Sequence, residues 1–190
     1  MLIGITGTDG AGKGTVVEYL VKEYGYIHFS SRGFIVRELH RRGFPTDRVH
    51  MREFGNELRA QYGDDILVTS ALSLVHETAL SYMIIESIRA VAEVEALRRA
   101  GGVLLAVDAD VRTRYERIVE RGSSSDHVSF EEFVAQEQLE LDDPNPHGMQ
   151  KAAVMKIADY TITNNDTFEG LGTEVEKALA ALEQVVKGRS

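Results

Sequence analysis

Leu2-Ile3-Gly4-Ile5-Thr6-Gly7-Thr8-Asp9-Gly10-Ala11-Gly12-Lys13-Gly14-Thr15 is the stretch that decides the fold of this chain. A short apolar run predicts a strand, the glycines predict a tight loop, and the residues from Lys13 onward predict a helix. Gly7, Gly12 and Lys13 have the glycine–four–glycine–lysine spacing of a phosphate-binding loop. Glycines let backbone N–H groups converge on phosphate oxygens with no Cβ in the way. The helix then points its positive dipole end at the same oxygens, and Lys13 reaches them as a mobile point charge. Serine or threonine usually follows the lysine to hold Mg²⁺; here Gly14 takes that place and Thr15 follows. A nucleoside triphosphate is the expected ligand, ATP with Mg²⁺, cradled by Gly7, Asp9, Gly10, Ala11, Gly12, Lys13, Gly14 and Thr15.

Outward from the loop, the chain of 190 residues is sized for one α/β domain with a substantial core. No linker, repeat or low-complexity tract divides it, so a single domain over 1–190 is expected. The chain enters a strand at once, with no charged leader, and its apolar runs are broken by charge short of a membrane span. Cysteine is absent, which excludes disulfides and thiol chemistry. A cytoplasmic protein without a membrane partner is the expectation. The net charge of −9 argues against broad electrostatic binding to nucleic acid. Arginine outnumbers lysine 15 to 6, and its planar fork suits bidentate phosphate contacts.

Strand and helix patterns alternate down the chain. Strands are expected at Leu2–Thr6, Tyr26–Phe29, Tyr82–Ile85, Val103–Val107 and Tyr160–Thr163. Helices are expected over Lys13–Tyr24, Gly33–Arg42, Asp47–Tyr62, Asp64–Ala79, Arg89–Ala100, Asp110–Arg121, Phe130–Leu141 and Thr167–Val186. Strands separated by helices imply a parallel sheet with right-handed crossovers, and ligands bind beyond the carboxyl ends of such strands. Function is therefore sought just after each strand.

After the second strand, Ser30-Ser31-Arg32-Gly33 leads to Arg37 one helical turn on. After the third, Glu86 stands where a carboxylate would hold Mg²⁺ through water or act as a base, and Arg89 where it would grip an acceptor phosphate. Ser87 reads alternatively as a helix cap. After the fourth, Arg114, Arg117 and Arg121 share one helix face, and Arg121 precedes a Gly-Ser loop with the character of a lid. After the fifth, Asn164 is placed to contact adenine or cap the next helix, with capping the expected role of Asp166. The six histidines are scattered, with surface or capping roles as the default; His127 and His147 flank the lid helix.

On these residues the chain resembles the P-loop nucleotide kinases, the group of adenylate kinase and dephospho-CoA kinase. Gly12-Lys13-Gly14-Thr15 is how the loop reads in adenylate kinases. Ser87-Ile88-Arg89, Thr113–Arg117 with Arg121-Gly122, Phe130–Phe133, Asn56–Arg59 and Ala158-Asp159-Tyr160 with Asn164 are similar to segments of archaeal adenylate-kinase-related proteins. The resemblance implies a three-layer P-loop NTPase fold with a five-stranded parallel sheet in the order 2-3-1-4-5. It also implies a helical acceptor-binding insert over about 31–80 and a lid over about 121–147. Lys13, Arg121 and Glu86 are then the catalytic residues, with Thr15 and Glu86 at the metal. Arg117 and Asn164 join the nucleotide side, and Ser30, Arg37, Arg59 and Arg89 bind the acceptor. The implied reaction moves the γ-phosphoryl group of Mg-ATP to a small nucleotide-like acceptor: a nucleoside or deoxynucleoside monophosphate, or dephospho-CoA. Two departures stand out. The helix after the lid reads Val134-Ala135-Gln136-Glu137-Gln138 with no arginine, and Asp142–Gly148 matches no familiar segment. A regulatory P-loop ATPase or nucleotide-dependent switch is the alternative.

Overall fold

The structure, a computed structural model, describes residues 1–78, 82–122, 128–165 and 168–189. The strands are β1 (Leu2–Gly7), β2 (Ile27–Ser30), β3 (Met83–Glu86), β4 (Val103–Asp108) and β5 (Tyr160–Thr163). The helices are α1 (Lys13–Tyr24), α2 (Ser31–Arg42), α3 (Arg48–Tyr62), α4 (Ile66–Thr78), α5 (Val91–Arg99), α6 (Val111–Arg121), α7 (Phe130–Leu141), α8 (Lys151–Lys156) and α9 (Phe168–Arg189).

All strand pairs are parallel, and the order is β2-β3-β1-β4-β5, as the resemblance implied. Central β1 and β4 are near-continuous apolar runs because both of their faces are covered. On one face Ile3, Ile5 and Leu105 pack against Val16 and Leu20 of α1 and Val175 and Leu182 of α9. On the other, Ile85 and Leu104 meet Val68 of α4, Val94 and Leu97 of α5 and Val154 of α8. Each such fully buried aliphatic side chain stabilises the fold by about 1.5–3 kcal/mol. A third cluster, Leu39, Phe54, Leu58 and Leu67, binds α2, α3 and α4 into a helical insert beside the sheet.

The helix ends follow local chemistry. Ser30 Oγ accepts from Gly33 N at 3.0 Å and starts α2; Asp47 accepts from Val49 N and His50 N and starts α3. Before α7, Ser129 and Glu132 close a reciprocal capping box.

Two expectations are corrected, and one helix is new. The helix expected from Arg89 begins at Val91, because the Glu93 carboxylate folds back to accept from Arg89 N (2.6 Å) and Ala90 N (3.0 Å). Ser87 is no cap: its backbone has φ 73°, a left-handed conformation rare outside glycine. Helix α8 has no counterpart in the sequence reading, since six residues are too few for a periodicity to show. The Gly-Ser lid loop from Ser123, His127, and the Asp166 cap lie outside the described residues. No helix among the described residues is long and apolar enough to cross a membrane.

Candidate active site

The loop between β1 and α1 is shaped by glycine and pinned by its neighbours. Gly12 caps α1 in a left-handed conformation (φ 96°), which lets Lys13 open the helix with its backbone N–H groups facing the cleft. Thr8 Oγ1 donates to Asp108 Oδ1 at 2.6 Å, at the end of the neighbouring strand β4. Asn164 Nδ2 donates to Ala11 O, and Arg117 Nη1 donates to Asn164 O, both at 2.8 Å. Asn164 thus ties the end of β5 to the loop. Lys13 Nζ turns back onto Gly7 O (3.1 Å) and Thr8 O (2.7 Å), with Asp9 Oδ1 at 3.5 Å. Burial pushes its ammonium down to about 8, against the pull of Asp9.

Two clefts meet at this loop. The larger, of about 870 Å³, is lined by Gly12, Lys13, Thr15, Arg117, Arg121 and Asn164 among others. The smaller, of about 80 Å³, lies between the insert helices and is lined by Ser31, Ile35, Met51, Gly55, Arg59 and Leu67 among others. Asp9, Arg32, Arg48, Ser87 and Arg89 line both. The left-handed Ser87 therefore sits in the shared wall, where sparsely populated backbone conformations tend to mark function.

That wall is strongly charged. Asp9 has Lys13 at 3.5 Å, Arg48 at 3.4 Å and Lys151 at 3.7 Å. Glu140, at the end of α7, accepts from Lys151 Nζ at 2.8 Å and Arg89 Nη1 at 2.9 Å, with Arg48 at 3.6 Å. Four cations face two carboxylates. Burial alone would raise the Asp9 carboxyl, but Lys151, Lys13, Arg89 and Arg48 hold it well below its ordinary value. Burial and Asp9 push Glu140 up, yet Arg89 and Lys151 keep it lowered. Both acids are ionised at neutral pH, and the cations around them, the P-loop lysine included, outnumber them.

Of the residues singled out in the sequence, Lys13, Thr15, Glu86, Arg89, Arg117, Arg121 and Asn164 all line the larger cleft. Arg59 lines the smaller one, 3% exposed and paired with the fully buried Glu93 at 3.3 Å. Ser30 and Arg37 line neither: Ser30 is spent capping α2, and Arg37 is exposed on that helix. Arg32 occupies the shared wall instead. Glu86 Oε2 lies 2.9 Å from His28 Nε2, and that hydrogen bond lowers the carboxyl despite burial. Arg114 does not face either cleft. Its guanidinium bonds both oxygens of Glu137, Ala109 O and Asp9 O, lashing α6 to α7 and to the loop.

Sequence reasoning missed Arg48, Glu140 and Lys151. Lys151 is 1% exposed. A lysine inside the Met149–Val154 stretch was the one available signal, since a buried lysine requires a partner. The Asp142–Gly148 segment folds onto the insert, with His147 Nδ1 2.9 Å from Asp64 Oδ1.

The family model described as an AAA domain matches residues 3–140. The UPF0200 protein of Thermococcus sibiricus is 31% identical over 183 residues, covering 93% of each chain. The chain belongs to the UPF0200 and AAA-domain families. Among solved structures, this UPF0200 chain is similar to a gluconokinase from Sinorhizobium meliloti, with TM-score 0.57 and 14% identity over 98% of this chain and 93% of that one. It is also similar to the shikimate kinase from Acinetobacter baumannii in complex with shikimate, with TM-score 0.56 and 15% identity over 95% and 93%. The UPF0200 chain therefore has the P-loop kinase fold.

Proposed function

We propose that the protein is a phosphotransferase that moves the γ-phosphoryl group of ATP to a nucleoside monophosphate. The observation that carries this reading is the wall shared by two clefts, which meet at Asp9, Arg32, Arg48 and Arg89, with Lys13 in the larger cleft and Glu140 in the smaller. A switch ATPase needs one nucleotide cleft. A second cleft that shares Arg32, Arg48 and Arg89 with the first suits a second phosphorylated molecule. The kinase neighbours, whose names give a sugar acid and shikimate as substrates, support a small-molecule acceptor in that position.

In this reading the triphosphate lies along the glycine loop, which accommodates its oxygens, with Lys13 at the β- and γ-phosphates. Thr15 and Glu86 offer the hard oxygens that suit Mg²⁺, together with the phosphates; the ion supplies charge neutralisation of the transferred group. Arg32, Arg48 and Arg89 hold the acceptor phosphate, Lys13 and Arg121 neutralise charge as the phosphoryl group passes, and buried Lys151 positions Asp9 and Glu140 behind them. An oxygen of the acceptor phosphate forms the new P–O bond as the β–γ bridge bond breaks, and ADP leaves.

The arginines favour a phosphate-bearing acceptor: Arg32, Arg48 and Arg89 all line the wall between the clefts, and the planar guanidinium fork suits phosphate oxygens. The test is ADP release with Mg-ATP against nucleoside and deoxynucleoside monophosphates plus dephospho-CoA, with products identified by mass. A monophosphate that gains a phosphate supports the reading. ADP release indifferent to every acceptor refutes it in favour of a regulatory ATPase, and transfer to dephospho-CoA alone refutes a monophosphate acceptor.

A further inference from the structure

Eight of the described glycines hold a positive φ, and Ser87, at 73°, is the one other described residue that does. A Cβ in that region crowds the neighbouring carbonyl, a cost that glycine escapes. The surroundings impose the conformation. Ser87 N and Ile88 N both donate to Ile5 O at 3.0 Å, and Ile88 O accepts from Thr6 Oγ1 at 2.8 Å. Arg89 N donates to Glu93 Oε2 at 2.6 Å, and Arg89 O accepts from Gln150 N at 2.7 Å. The turn so fixed buries Ile88 in the cluster with Val94 and Leu97 and delivers Arg89 to the wall between the clefts. Glycine at position 87 would serve both ends with less strain. What serine adds is a hydroxyl.

That hydroxyl has no hydrogen-bond partner among the described residues. Ser87 keeps 9% of its surface open and lies in the wall of both clefts. The other residues common to the two clefts are Asp9 and the arginines Arg32, Arg48 and Arg89. An anion drawn to those arginines therefore meets the wall that Ser87 helps to form. A hydroxyl turns its proton to suit its partner, and a bond to an ionised oxygen is stronger than one between neutral groups. A residue held in a sparsely populated conformation by a pinned backbone, with its donor unused at a cleft, fits a group kept for a ligand.

We propose that Ser87 is a phosphate-contacting residue, whose hydroxyl donates to a phosphate oxygen where the two clefts meet. This rests on the phosphotransferase reading for which molecule carries that phosphate. The left-handed backbone is the cost of putting a side chain at this point of the wall. Because the turn is pinned at Ser87, Ile88 and Arg89 before any ligand arrives, the donor stands ready in the empty protein. Such preorganisation suits a group that meets the phosphoryl oxygens during transfer.

The experiment is calorimetric titration of inorganic phosphate into the protein saturated with Mg²⁺ and ADP, alongside the melting temperature of each variant. Ser87→Ala removes the hydroxyl alone and should weaken phosphate at least about tenfold. Ser87→Gly should weaken it as much while melting no lower than the parent, because the strain leaves with the side chain. A serine with only a structural role would give the opposite pattern, a lower Tm in Ser87→Gly with phosphate affinity unchanged. That pattern overturns the inference, as does a loss confined to one of the two variants or a parent that takes up no phosphate. Transfer from ATP to nucleoside monophosphates separates the two readings. Weakened phosphate in both variants, with no phosphorylated product from the parent, leaves the Ser87 contact standing and rejects the phosphotransferase. Transfer by Ser87→Ala at the parent's kcat and KM, with phosphate affinity unchanged, rejects the contact and retains the phosphotransferase.

Discussion

Gly55→Ala separates the acceptor cleft from the stability of the insert that builds it. Gly55 lies inside α3 and lines the smaller cleft. A Cβ added there would stand 3.5 Å from Arg59 Nη1 and 3.5 Å from Ile35 Cδ1, ordinary van der Waals contact with nothing displaced. Replacing glycine by alanine within a helix stabilises by about 0.5–1 kcal/mol, chiefly by restricting the unfolded chain. In a domain of this size that raises Tm by about 1–4 °C. The same methyl group occupies space between Arg59 and Ile35 in the smaller cleft, where the proposed reaction needs its acceptor. Overpacking a closely fitted site costs about 1–3 kcal/mol, which is about five- to hundredfold in affinity. The expected result is a protein that melts higher, keeps its KM for ATP, and has a KM for the acceptor raised by at least about fivefold. Melting followed by circular dichroism and a coupled assay for ADP read all three quantities. A higher Tm with an unchanged acceptor KM would refute the placement, because the methyl group would then be filling space that no substrate uses.

Further outcomes test the charged wall and the groups that brace it. Lys151→Met removes the buried ammonium between Asp9 and Glu140 and should cost about 3–5 kcal/mol, read as a fall in Tm of more than about 6 °C; an unchanged Tm would refute its part in holding the two acids. Arg114→Met leaves the Glu137 carboxylate without its partner and unties α6 from the loop at Asp9 O; it should cost about 3–5 kcal/mol, read as a fall in Tm of more than about 6 °C. Lys13 titrates near 8 in the empty site, and polyphosphate favours its ammonium form, so ATP affinity measured calorimetrically should fall as pH rises above about 8, by up to about tenfold per pH unit; the dependence should vanish in Lys13→Met. In the opposite direction Asp9, Glu86 and Glu140 have folded values lowered from 3.8, 4.5 and 4.5, so the stability they contribute is present above those values and lost as pH falls through their depressed ones.

The sheet was legible because its signals are local. Each strand is a short apolar run bounded by turn residues, and the sheet order followed from the family that the glycine loop indicated. The wall between the clefts was not legible, since its members come from places that no window of sequence spans. Glu140 ends α7, Lys151 begins α8, and Asp9 lies in the first loop. The choice between Arg32 and Arg37 turned on one residue: β2 runs through Ser30, so α2 starts at Ser31 and Arg32 enters the wall while Arg37 falls on the exposed face. The left-handed backbone at Ser87 carries no sequence signal, because that conformation is imposed by the fold on a residue that does not favour it. His28 and Glu86 meet only because β2 and β3 run side by side with Ser30 opposite Glu86.

Asp9 and Glu140 have a consequence for how tightly anything is held between the clefts. Their oxygens already occupy the donors of Lys13, Arg48, Arg89 and Lys151 in the empty protein. A phosphate entering that gap competes with two resident carboxylates, so its affinity is a difference between two sets of contacts and is weaker than the number of cations suggests. The reverse holds on departure. When a phosphorylated product leaves, the cations fall back onto partners that never left the site, and the exit does not strand four charges in a dry cavity. The same two acids that keep the empty site intact therefore set a ceiling on product retention.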